Sequence, residues 1–320
     1  MTKSTPFQLR GITSFFVGGE NVRMEFPATE NVALAMGSAP RSLEQSGDYE
    51  VGQMYVQGFL GADRDGTAPI LMWHGGGMTG VTWETTPDGR PGWVELAARD
   101  GFDVYVSDAV ERGRSSVSPK AIIEESVVFR PKELSWDVFR FGPVGGYATD
   151  PGERDIYPGQ RFPMAAFDTF AKQFVARWPV LVPEVKAAYR EYLQSFEQCI
   201  VMVHSQGGGM SIDTTLACPG HTKALVLIEP SGAPEVDDVS ANAGVPHLVV
   251  WGDYMDRSER WQEYRGEVER YLDAVAKLGA PVTVIDLPAE GIQGNSHFPM
   301  MDDNSAEIWA RVSGWIKALG

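Results

Sequence analysis

The chain has 320 residues, 43% of them hydrophobic and 22% charged, a composition that excludes wholesale disorder and suffices for a large core in one or two domains. Lys and Arg number 27 against 43 Asp and Glu, so the formal net charge is −16. A surface that negative repels phosphate backbones and anionic lipid, which argues against nucleic acid and membranes as partners, and its plainest consequence is solubility.

Short apolar runs alternate with amphipathic stretches, the pattern of a mostly parallel sheet covered on both faces. Residues 15–26 and 53–60 read as strands. Residues 69–73 form an apolar run stopped by glycines, followed by a helix near 93–99 that ends at Gly101 and a buried strand over 102–107. Residues 112–163 break the pattern, with six prolines and scattered aromatics including Phe129, Trp136, Phe139, Phe141, Tyr147, Tyr157 and Phe162. Such irregular segments inside a domain are commonly lids, so a lid is expected here, its aromatics available to line an apolar pocket. A largely helical region spans 164–198, broken near Pro179 and Pro183, with Phe167, Phe170, Phe174 and Trp178 at helical spacing as core. Strands follow at 200–203, 224–228, 247–251 and 281–287, then a last helix at 305–319. Residues 254–273 read as a solvated helix laced with i,i+4 ion pairs, and the acidic run from Asp302 to Glu307 as complementing the dipole of the last helix.

Cys199 and Cys218 are too few for a disulfide scaffold or a cysteine-rich zinc site and read as buried thiols, one disulfide being the alternative. No apolar run approaches the roughly 20 residues that span a bilayer. Residues 1–20 lack a charged-then-apolar signal pattern. The compartment, cytoplasmic or exported, stays open. No glycine-rich loop carries the Lys-Ser/Thr of a phosphate cradle, and no HExxH or His/Asp cluster suggests a metal, so no cofactor is expected.

The chemistry concentrates at Val203-His204-Ser205-Gln206-Gly207-Gly208-Gly209, where an apolar strand runs into small residues that open a helix. A serine on a sharp strand-to-helix turn projects its Oγ above the sheet, and the N–H of Gln206, at the helix N-terminus, favours an oxyanion. Against the G-x-S-x-G pattern, Val203 replaces the first glycine. A serine-capped helix start is the plainer alternative. About 130 residues earlier, Trp73-His74-Gly75-Gly76-Gly77 follows another apolar strand and resembles the HGGG loop of lipases and esterases, which implies backbone N–H groups of Gly75 and Gly76 for the same oxyanion.

Of five histidines, His74 belongs to the glycine loop, His204 neighbours the serine, His221 lies in a turn and His247 opens a strand. His297 sits in a polar loop after the last strand, at the carboxyl edge where open α/β sheets bind ligands, and is the expected base. The acid that orients it is Glu229, held behind the all-apolar run 225–228, with Asp253 and Asp256 as alternatives one strand later.

The order Ser205, Glu229, His297, the loop His74–Gly77 and the stretch from Asp108 to Ser115 resemble the α/β-hydrolase superfamily over about residues 50–320. Glu111 stands where the D-x-x-G-x-G-x-S stretch has its first glycine. Within the superfamily the chain is similar to a small group of bacterial carboxylesterases, through Gly-Ile-x-Ser-Phe-Phe-Val-Gly-Gly at 11–19 and the His-Ser-Gln nucleophile. That resemblance implies a Ser205–Glu229–His297 triad, carboxylesterase-type activity on a small-molecule ester, and room for a homodimer. The adjacent cysteines that the group carries after His-Gly are Gly76 and Gly77 here, so no role of that pair transfers. Lactonase, thioesterase, C–C hydrolase and acyltransferase activities use the same triad, and a non-catalytic binding protein is the rival from another class. Epoxide hydrolases and haloalkane dehalogenases are disfavoured because the nucleophile position holds serine rather than aspartate.

Overall fold

A computed structural model describes residues 6–27, 29–62, 66–124 and 126–320. Residues 1–5, within the segment read as lacking a signal pattern, and residue 125, inside 112–163, lie outside them. The described strands are β1 (Leu9–Met24), β2 (Thr29–Val32), β3 (Arg41–Leu43), β4 (Gly47–Gly61), β5 (Ile70–Trp73), β6 (Val104–Asp108), β7 (Cys199–His204), β8 (Thr222–Ile228), β9 (His247–Trp251) and β10 (Val282–Asp286). Strands β2 and β3 pair as a small ribbon, and the other eight form one sheet in the order β1-β4-β6-β5-β7-β8-β9-β10. β1 runs antiparallel to β4 and β4 antiparallel to β6; every pairing from β6 to β10 is parallel.

The period-two alternation of a strand divides the core cleanly. Ile70, Met72, Ile200, Met202, Val226, Ile228 and Val250 face one layer, with Trp93 and Trp309 of helices Trp93–Arg99 and Ser305–Lys317. Leu71, Trp73, Val201, Val203, Leu227, Val249 and Trp251 face the other, with helices Val182–Gln194, Gly207–Ala217 and Glu259–Lys277. Because both faces are covered, these central strands are buried at every position and apolar at all but His204 and His247, which is why they read as near-continuous apolar runs. Among the described residues no helix is long and apolar enough to cross a membrane. Cys199 and Cys218 are buried, unpaired thiols.

Three expectations need correction. β1 starts at Leu9 and β4 at Gly47, earlier than 15 and 53; as outer antiparallel strands they carry exposed polar residues that hide the pattern. Residues 164–198 are less helical than their spacing suggests: Phe167–Phe170 is one helical turn, Phe174 is extended, and a long helix begins only at Val182. Phe167 and Phe170 are core nonetheless, in a cluster of edge-to-face rings with Trp136, Phe141, Phe162 and Phe298. Trp136, Phe141 and Phe162 therefore pack into the core rather than line a pocket, whereas Phe139 contributes to a cavity wall and Phe129 is exposed. The segment also holds helices Pro119–Glu124 and Lys132–Val138.

Candidate active site

Ser205 follows β7 in the left-handed region, φ 54°, where a non-glycine residue is strained unless its surroundings over-determine it. They do: its N–H donates to Ile228 O (3.1 Å) and its carbonyl accepts from Gly208 N (2.8 Å) and Ser231 N (3.0 Å). The glycines after it allow close packing. A Cβ on Gly208 would come within 2.5 Å of Pro230 Cβ, and one on Gly207 within 3.4 Å of Val203 Cβ. Gln206 stands at the N-terminus of helix Gly207–Ala217, with helical backbone and no capping bond from its side chain.

The loop after β5 lies directly against this turn. A Cβ on Gly75 would meet Ser205 Cβ at 2.9 Å and Oγ at 3.4 Å, and one on Gly76 would meet Gln206 Oε1 at 2.7 Å and Arg177 Nη1 at 2.9 Å. His74 braces the loop: Nδ1–H donates to Gly75 O (2.8 Å) and Nε2 accepts from Ala109 N (3.0 Å). Burial, with Arg112 nearby, pushes its pKa down to about 4, so the ring is a neutral strut. The stretch from Asp108 to Ser115 ties the loop to the sheet. Asp108 accepts from Gly80 N (2.7 Å) and from Arg114 N and Nε (2.8 Å each), and Glu111 takes φ 60° where the superfamily pattern has glycine.

His297 and Glu229 meet at the carboxyl ends of the strands. The Glu229 carboxylate, fully buried at the end of β8, lies 3.0 Å from His297 Nδ1. A carboxylate only accepts, so Nδ1 carries the proton and Nε2 keeps its lone pair, the form of a general base. Burial and then the guanidiniums of Arg140 and Arg130 hold the His297 pKa well below its ordinary value. Nε2 is buried and has no hydrogen-bond partner among the described residues, so no bond joins it to Ser205 Oγ in this structure. The ring sits among Trp261 (centroids 4.3 Å apart), His204 (4.5 Å) and Phe139, which stacks on it at 5.4 Å. His204 is not idle: its Nε2 bonds the carbonyl of His297 (2.8 Å).

Asp253 and Asp256 lie elsewhere. Asp253 accepts from Tyr254 N (2.6 Å) and Gly294 N (2.8 Å), and Asp256 pairs with exposed Arg257. His221 and His247 bond Phe196 O and Tyr271 Oη, away from Ser205.

Sequence reasoning missed two supports. Arg140, from the irregular segment and at φ 58°, is almost wholly buried; it donates to Glu229 Oε2 (2.7 Å) and Asp253 O (2.8 Å), over the Trp261 ring. Asp302 is the second. It does not serve the dipole of the last helix; buried, with its pKa raised to about 7 by desolvation, it accepts from Ser296 N (2.8 Å), Ser296 Oγ (2.7 Å) and Asn295 Nδ2 (2.8 Å), fixing the loop that carries His297. Glu229 itself accepts from Gly252 N, where a Cβ would fall 2.9 Å from its Oε1.

Ser205 opens onto a cavity of about 520 Å³, within the range of small-ligand sites. Phe139 and Trp261 form part of its wall, as do Arg130, Arg177 and Arg260. The helix Glu259–Lys277 is therefore not simply a solvated face: Arg265 and Glu269 make the expected i,i+4 pair, but Arg260 belongs to the cavity.

A solved structure described as a novel bacterial esterase is similar to this chain at 31% identity and a TM-score of 0.84, over 99% of this chain and 98% of that one. A probable secreted lipase, phiG, of a fungal species (strain ATCC 74256) is 25% identical over 324 residues, covering 85% of this chain and 87% of that protein. No protein-family model matches.

Proposed function

The chain belongs to the α/β-hydrolase superfamily as an esterase-type hydrolase, and from that premise we propose that it cleaves carboxylic esters by a Ser205–His297–Glu229 triad through an acyl-enzyme. The observation that carries this reading is the 3.0 Å contact of a buried glutamate with His297 Nδ1, beside a serine held at φ 54° above the sheet edge. In the proposed sequence Ser205 Oγ attacks the ester carbonyl as His297 Nε2 takes its proton. Oγ turns toward Nε2 as substrate enters; catalytic hydrogen bonds often tighten only then. Backbone N–H groups of Gln206 and of Gly75 or Gly76 receive the oxyanion, one such donor being worth about 2.7–4 kcal/mol of barrier. The imidazolium, stabilised by Glu229, returns the proton to the leaving alcohol. Water, activated by the same ring, then releases the acid and restores Ser205. In this reading residues 112–163 act as a lid, supplying Phe139 above His297 and Arg140 behind Glu229.

The test is hydrolysis of p-nitrophenyl butyrate together with labelling by a fluorophosphonate. Wild type is expected to release p-nitrophenol and to gain one phosphonyl group on Ser205, and Ser205→Ala to do neither. Retention of the wild-type rate by Ser205→Ala refutes the assignment.

A further inference from the structure

Three arginines from distant parts of the chain meet in the cavity that holds Ser205: Arg130, Arg177 and Arg260. No aspartate or glutamate lines it among the described residues. Other arginines of this acidic chain pair readily: Arg114 with Asp108, Arg154 with Asp168, Arg190 with Asp213, Arg265 with Asp286. Among the described residues, none of the cavity three forms an ion pair. Arg130, for one, is held by neutral contacts instead. Arg130 donates to Gly76 O (3.3 Å) and lies over the Phe139 ring at 4.9 Å, while Arg177 Nη1 sits 2.9 Å from where a Cβ on Gly76 would be. Burial and the fields of Arg177, Arg112 and Arg260 bring Arg130 down to about 10, still a cation at neutral pH. Like charges gathered in a partly desolvated wall repel one another, and an anion among them relieves that cost. The planar guanidinium fork matches a carboxylate. Against a net charge of −16, the cavity is a local positive focus.

We propose that the natural substrate is an ester bearing a free carboxylate, bound by Arg130, Arg177 and Arg260 while its ester carbonyl lies at Ser205; this rests on the serine-hydrolase reading above. The apolar walls, Leu134, Phe139 and Trp261 among them, suit a short carbon chain between the two groups. The carboxylate can stand on the acyl side, as in a half-ester of a dicarboxylic acid, or on the alcohol side, as in an acylated hydroxy acid.

Two substrate pairs distinguish these. Monoethyl adipate against diethyl adipate tests the acyl side; 4-acetoxybutanoate against its methyl ester, followed by acetate release, tests the alcohol side. One anionic member is expected to exceed its neutral partner at least tenfold in kcat/KM, mainly through KM. That ratio is expected to shrink in 0.5 M NaCl, a readout that needs no variant, and to fall at least tenfold in Arg177→Gln and in Arg260→Gln. An arginine that merely assisted the oxyanion would slow charged and neutral esters alike and leave the ratio unmoved. If wild type turns over both neutral esters as fast as the anionic ones, the proposal is overturned while the serine-hydrolase reading stands. Failure of that reading shows separately, as Ser205 untouched by fluorophosphonate.

Discussion

Replacing Glu229 by glutamine leaves the side-chain volume nearly unchanged and deletes one negative charge from a site where the acid, Arg140 and His297 are all essentially without solvent. Two effects follow, and the structure separates them. The first is on stability. Arg140 keeps a bond to Asp253 O (2.8 Å) but loses its only ion-pair partner among the described residues. Stranding a buried charge costs about 3–5 kcal/mol, a large part of the roughly 5–15 kcal/mol that holds a domain together. The second is on chemistry. A glutamine can present its amide N–H to Nδ1 and so favour the wrong imidazole tautomer, and an amide does not stabilise the imidazolium; the equivalent change in a serine protease costs about 10⁴ in kcat. The double variant Arg140→Met with Glu229→Gln removes the stranded charge. It is expected to recover most of the lost stability in urea melts and none of the lost turnover of p-nitrophenyl butyrate. Asp253→Asn, whose carboxylate serves backbone N–H groups, is expected to lose far less activity than Glu229→Gln. The reasoning is refuted if Glu229→Gln stays within tenfold of wild type in kcat, or if activity returns with stability in the double variant.

Gly75→Ala drives a methyl group to within 2.9 Å of Ser205 Cβ; displaced oxyanion donors should lower kcat about 10²–10³-fold, with a smaller change in melting temperature. Asp302→Asn replaces an acceptor of three hydrogen bonds and should loosen the His297 loop, costing about 1–3 kcal/mol in urea melts and up to about 10²-fold in kcat. In kcat/KM against pH, the acid limb should fall below the ordinary histidine value near 6.5, since burial and Arg140 keep His297 neutral; a limb above that value contradicts the assignment. Stability carries its own pH dependence. His74 and His247 are held down to about 4, and His204 and His297 well below 6.5, so the unfolded chain binds more protons; stability present above about pH 6.5 is lost as pH falls toward 4. Asp302, raised to about 7, and Glu84, raised by burial, oppose this with stability lost as pH rises, but they are two groups against four. Urea midpoints are therefore expected to be lower at pH 5 than at pH 7.5.

The amino-acid sequence by itself determined the layered architecture and singled out the residues proposed for the site. Central strands announce themselves because burial on both faces demands unbroken apolar runs, and the glycines of His74–Gly77 and Ser205–Gly209 because close backbone approach permits no Cβ. His297 could be singled out by its place after the last strand. The tertiary structure alone decided what surrounds these groups. Arg140 lies in a segment without periodicity and 89 residues from the glutamate it pairs with, so nothing local marks it. Asp302 and Arg260 sit in charged runs that look like ordinary helix surface, yet one is buried against the His297 loop and the other faces the cavity. The underlying reason is that periodicity and turn chemistry are local properties of a chain. The work a charged side chain does depends instead on the dielectric and the partners around it, and both are set by residues that only folding brings near.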